Sequence, residues 1–163
     1  MATYTNTGDF SADVSKWAAA TKQKVDTLVR ESVITLGERI VERSPVGNPS
    51  LWTKEFVVVA KKLGWIHEGY RGGRFRANWS YGYGAAPAET FDLIDPTGAA
   101  SRDRIQAGVL AAKAGGVHYI ANNLPYAMAL ENGHSTQAPH GMVGLAVVDF
   151  QGIVADEIAR GGA

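Results

Sequence analysis

Glu131-Asn-Gly-His134, followed by His140, is the one place where this sequence spaces a carboxylate and imidazoles as a metal site would. Residues three apart share a helix face, and one carboxylate with two imidazoles is a common donor set for a catalytic metal. The neighbouring residues argue against that use. Asn132-Gly133 is a helix-ending pair, so His134 falls beyond the turn that carries Glu131, and no second paired motif completes the set. His67 and His118 lie in unrelated segments. Nucleophilic chemistry has even less to stand on: no serine sits in a Gly-x-Ser-x-Gly elbow, and the chain has no cysteine. No catalytic set, metal site or cofactor is expected.

A second constellation is basic and glycine-rich. In Gly69-Tyr-Arg-Gly-Gly-Arg-Phe-Arg76, backbone N–H groups and Arg71, Arg74 and Arg76 could meet phosphates while Tyr70 and Phe75 stack. The segment fits neither phosphate-loop fingerprint, so a solvated loop with three ordinary arginines is the stronger reading, and a loop facing a channel or a partner the alternative. Asn78-Trp-Ser80 matches the glycosylation triplet by chance in a chain with no secretion signal.

Composition narrows the classes. At 163 residues and 45% apolar content the chain makes one domain with a real core, residues 1–163, carrying a loop insert at about 47–73. Sixteen basic residues balance sixteen acidic ones, leaving no overall field to hold nucleic acid. The longest apolar run, Phe56-Val-Val-Val-Ala60, is far short of a bilayer span, and the polar start Met1–Asp9 has no signal-peptide character.

These residues must be positioned by a small set of elements. Phe10, Val14, Trp17, Val25, Leu28, Ser32, Leu36 and Ile40 recur at helical steps, predicting one long helix opened by Asp9 or Ser11 and closed by Ser44-Pro45. Thirty-odd residues span roughly 50 Å, against about 40 Å for a compact domain of this size. Either the helix overhangs its domain and meets another copy, which the apolar stripe favours, or it breaks near Thr21 or Gly37. Trp52–Trp65 reads as a long, partly ordered loop, because Val57–Val59 favours a strand and Lys61-Lys62 does not. Phe75–Tyr83 reads as a strand in its latter half, Asp95–Gly98 as a turn, and Ser101 as the cap of a helix burying Ile105, Val109 and Leu110 that ends at Gly115-Gly116. Val117–Ala121 makes a second strand. A short helix follows Pro125 and stops at Asn132-Gly133, and a last helix from Met142 through Ile158 frays at Gly161-Gly162. The expected fold is α+β: a long N-terminal helix, a small mostly antiparallel sheet, and packed helices including a C-terminal one.

Tyr119–His134 is too rich in turn, aromatic and polar residues to be core alone. Asn122, Asn123, Tyr126, Glu131 and His134 are therefore its candidate recognition surface.

Four stretches in order carry a resemblance: Ser44-Pro-Val-Gly-Asn-Pro49, Gly72-Gly-Arg-Phe-Arg-Ala-Asn-Trp79, Tyr119-Ile-Ala-Asn-Asn-Leu-Pro-Tyr-Ala127 and Leu130-Glu-Asn-Gly-His-Ser135. Together the chain resembles the tail-completion and minor-tail protein family of long-tailed bacteriophages over nearly its whole length, departing from it in a longer insert, Leu51–Tyr70. The resemblance implies a non-enzymatic virion protein, made in the host cytoplasm. It would form a ring with copies of itself, a hexamer, at the neck or upper end of the tail tube, and complete the tail for head–tail joining. Its implied partners are the tail terminator or tail tube and the head-side connector, with genomic DNA passing through the channel unread and no membrane involved. A tail terminator or head-closure ring protein is the alternative, and a metal-dependent enzyme using Glu131, His134 and His140 a weaker one.

Overall fold

The computed structural model describes residues 7–161, with side chains from Phe10 onward. The readings placed on Met1–Asn6, on the Asp9 side chain and on Gly162 fall outside the described residues.

The fold is α+β, with α1 at Thr7–Arg43, α2 at Lys54–Lys62, β1 at Trp79–Tyr83 and α3 at Ala99–Ala111. After these come β2 at His118–Asn122, α4 at Ala127–Glu131 and α5 at Val143–Gly161. Short 3-10 turns occupy Pro49–Leu51 and Arg76–Asn78. β1 and β2 form a two-stranded antiparallel sheet with Trp79 opposite Asn122 and Tyr83 opposite His118. A two-stranded sheet is marginal alone and needs an apolar layer over one face. Here Trp79, Tyr81 and Ile120 of one face join Ile40 and Val41 of α1 and Ile105 and Val109 of α3 in a single core, which Met142 and Ala146 extend toward α5.

Helix α1 runs unbroken through both Thr21 and Gly37, so its 37 residues extend about 55 Å. Gly37 serves close packing: a Cβ there would lie 2.9 Å from Ile105 Cγ2 and 3.3 Å from Ile120 Cδ1. The helix ends where Ser44 Oγ donates to the Ile40 carbonyl at 2.8 Å, and Trp79 Nε1 donates to the same hydroxyl at 2.7 Å.

The insert corrects the loop expectation. Thr53 caps α2 by accepting from the Phe56 N–H at 3.2 Å, Glu55 sits in its first turn, and Lys61 and Lys62 sit in its last. This is the charge order that a helix dipole favours, and it overrides the β-preference of three valines. Trp52, Phe56, Trp65 and Tyr70 pack ring on ring around α2, with centroids 5.3 to 6.3 Å apart. The insert leaves and returns through a backbone crossing at Gly47 and Gly72, where a Cβ on Gly72 would fall 2.0 Å from the Gly47 carbonyl oxygen.

Other differences are smaller. Gly98, not Ser101, holds the N-cap position of α3, and Asp95 Oδ2 reaches in from three residues earlier to accept from the Ala100 N–H at 2.9 Å, while Ser101 is buried within the first turn. Leu110 points outward, one position past the buried Val109, and α3 stops at Ala111 before the Gly pair. β1 begins only at Trp79 because Asn78, fully buried, donates to the Arg74 and Phe91 carbonyls and accepts from the Phe91 N–H. A side chain so enclosed is no glycan acceptor.

Candidate assembly interface

The Tyr119–His134 segment divides into residues that hold the chain together and residues left facing outward. Asn122 is half-buried, donating to the Phe75 carbonyl at 2.9 Å and accepting from the Leu124 N–H at 3.3 Å. Asn123 is exposed but donates to the Pro87 and Glu89 carbonyls at 2.9 and 3.2 Å, tying down the long connection that crosses the sheet. Tyr126 is 42% exposed and packs one face on Phe75, with centroids 6.0 Å apart. Gly133 closes α4 with φ +83 and its N–H on the Leu130 carbonyl, leaving His134 beyond the helix and exposed.

Glu131 has a role that spacing alone did not reveal. Its carboxylate accepts from the N–H groups of Met142, Val143 and Gly144 at 2.9, 3.0 and 2.9 Å, closing the start of α5 from eleven to thirteen residues away. These are donors that the first turn of a helix leaves unsatisfied, and a negative charge there also suits the helix dipole. Partial burial pushes the carboxyl pKa up, yet the three N–H bonds outweigh it and hold the group below the ordinary carboxylate range. Gly141 makes the approach possible, since a Cβ there would strike the Glu131 carbonyl oxygen at 2.4 Å. With Glu131 so engaged, it does not combine with His134 and His140 as ligands; among the described residues no three His, Asp or Glu side chains converge on a metal position.

The three arginines separate in the same way. Arg76 is clamped beneath the end of α1, donating to the Ser44, Glu42 and Pro96 carbonyls at 2.9, 3.0 and 3.0 Å. It satisfies the free carbonyls of the last helical turn with a cation, as the dipole favours. Arg71 and Arg74 are exposed, and Arg74 lies 4.0 Å from the solvated Asp92, a pair worth little. The glycine-rich stretch therefore offers two outward cations. His118, passed over in sequence, pins the bend after α3: its ring bonds Tyr81 Oη at 2.7 Å through one nitrogen and the Ala114 carbonyl at 3.0 Å through the other.

Two exposed apolar surfaces lie on α1 and α5. Along α1, residues 10–25 are exposed throughout, Phe10 at 63% and Trp17 at 70% among them. Eighteen residues make five full turns, so Trp17 shares its facing with Thr35, Thr21 with Arg39 and Val25 with Arg43. That facing is where α5 rests on the other half of α1. Thr35 Oγ1 donates to Glu157 Oε1 at 3.1 Å, and Arg43 bonds Asp149, which Arg39 approaches to 3.9 Å. Among the described residues the layer reaches no further: an open groove of about 540 Å³ lined by Thr27, Glu31 and Arg160 lies at the Gly161 end of α5, and α1 continues past it. On α5 itself the side turned away from α1 is mostly apolar: Val147, Ala155 and Ile158 are exposed and Val148 is at 77%, with Gln151 among them and Leu145 at one edge.

Among the described residues no helix is long and apolar enough to cross a membrane. Comparisons of this chain with protein-family models, with curated proteins and with solved structures find no match.

Proposed function

We propose that this chain is a structural subunit of a long-tailed bacteriophage, forming a six-fold ring at the head–tail interface or the upper end of the tail tube. There it completes the tail for joining and leaves a channel for the genome. The observation that carries the reading is the free half of α1, an apolar stripe that the described residues leave bare. Contiguous apolar surface of this kind marks a protein interface, and a subunit made to be completed by its neighbours would carry one. The four stretches that resemble the tail-completion family also support it, because they meet in space. Trp79 bonds Ser44, Asn122 bonds the Phe75 carbonyl, and Glu131 caps the helix that packs on α1. Motifs far apart in sequence thus act as pins of one frame.

In the ring, Asn123, Tyr126 and His134 offer a second contact surface to tail-tube or connector proteins, and Arg71 and Arg74 face the channel or an adjoining ring. DNA passes without being read. The protein then resides in the virion after assembly in the host cytoplasm.

Electron microscopy of particles produced with and without the gene tests the assignment. Loss of the gene gives headless tails beside filled heads; joined, infectious particles without it would rule the assignment out.

A further inference from the structure

We infer that the free half of α1 docks onto the outer face of α5 in a second copy of this chain, a head-to-tail contact that uses one surface of each kind per subunit. Where it repeats around a closed ring the inference rests on the reading above, but the contact itself stands on the two surfaces.

Both are apolar, unpartnered and of similar reach. Phe10 to Val25 spans fifteen residues and Leu145 to Ile158 thirteen, about 22 Å and 20 Å along their helices. Their charges are opposite. Residues 10–25 carry Lys16, Lys22 and Lys24 against Asp13, a balance of three to one, while α5 carries Asp149, Asp156 and Glu157 against Arg160, the reverse. Asp149 and Glu157 are held by their own chain through Arg43, Thr35 and Arg160, which leaves Asp156 as the exposed acid. Lys24 lies seven residues from Trp17, hence on the apolar stripe itself, where its long side chain can carry the charge out to an acid at the edge of the receiving face.

The area is that of a small specific interface. Covering Phe10, Val14, Trp17 and Val25 with their small neighbours removes roughly 500–600 Å² from the donor helix, and a like area from the receiver brings the total to about 1,000–1,200 Å², at the threshold for a specific contact. Pairing of two α1 helices fits less well: it sets two net basic segments side by side, leaves the α5 face bare and stops at a dimer.

The absence of native cysteine gives a clean background for a crosslinking test on the full-length protein. Thr21→Cys lies on the stripe, and Ala155→Cys shares the facing of Val148 on α5; both are exposed and conservative. Under mild oxidation, a mixture of the two single variants is expected to give a mixed Thr21–Ala155 disulfide dimer, and Trp17→Glu in the Thr21→Cys chain is expected to weaken association about 100-fold and abolish the product. A Val14→Cys with Thr21→Cys product in its place would mean α1-on-α1 pairing and overturn the proposal. So would no mixed product at concentrations where wild-type protein sediments as an oligomer, or a wild-type protein that stays monomeric both alone and when recovered from particles. Crosslinking in purified protein does not depend on any phage, so a failed neck assignment would show only in the microscopy.

Discussion

The two halves of α1 share a helix, a facing and a stripe, yet one is built into a core and the other is left exposed by the described residues. From Ser32 to Arg43 the helix presents small and polar groups toward α5 and apolar ones, Ile40 and Val41, toward α3 and the sheet. From Phe10 to Val25 its apolar residues lie on the facing that α5 uses further along. Periodicity is therefore evidence that a face will be covered, and says nothing about which molecule covers it.

Four measurements would break or sharpen that contrast. The largest effect is expected at the buried end: Trp79→Ala removes a core ring and leaves Ser44 without its donor, costing about 3–5 kcal/mol in denaturant unfolding. Gly37→Val forces a side chain against Ile105 and is expected to cost about 1–3 kcal/mol; an unchanged midpoint would show that α1 and α3 are not so closely apposed.

Glu131→Gln comes next at about 1–2 kcal/mol, through the loss of a charged acceptor at the start of α5. Its pH dependence has a definite sign. Because the folded pKa lies below the unfolded one, the carboxylate's contribution is complete above the ordinary range near ~4.3 and is lost as pH falls through it toward the folded value. Wild type should thus lose more stability on acidification than the Gln variant, and equal slopes would remove Glu131 from this role. The smallest effect is expected at the other end of α1. Trp17→Ala in dilute monomer should shift stability by no more than about 0.5 kcal/mol, since a 70% exposed side chain has little folded contact to lose. A large loss there would mean that the stripe is covered within the chain.

Much of this fold was legible because its signals are local. The period of α1, the Pro125 to Gly133 bracket around α4 and the alternation of Trp79, Tyr81 and Tyr83 each depend on neighbours in sequence. The insert was misread for a different reason: Val57–Val59 carried more weight than the flanking Thr53, Glu55, Lys61-Lys62 and Gly64, which together mark a helix from cap to end. Glu131, Asn122 and Arg76 stood out as polar residues in specific settings, but their partners lie across the fold. Glu131 reaches the N–H groups of residues 142–144, and Arg76 the carbonyls of residues 42 and 44. A side chain that satisfies backbone groups at long range looks, in sequence, like one reserved for a ligand. Tyr126 and His134 remain outward, and their use is decided outside the chain.

The unbroken course of α1 also constrains how this sequence can change. Substitutions along the free half alter only what it touches, whereas a one-residue insertion between Val25 and Leu28 would turn everything before it by about 100° against the body. Insertions of seven or eleven residues would restore the facing to within about 20° while moving the tip outward by about 10 or 16 Å. Length variation here is thus quantised by the helical turn, and a variant with a single added residue should keep its fold and lose its neighbour.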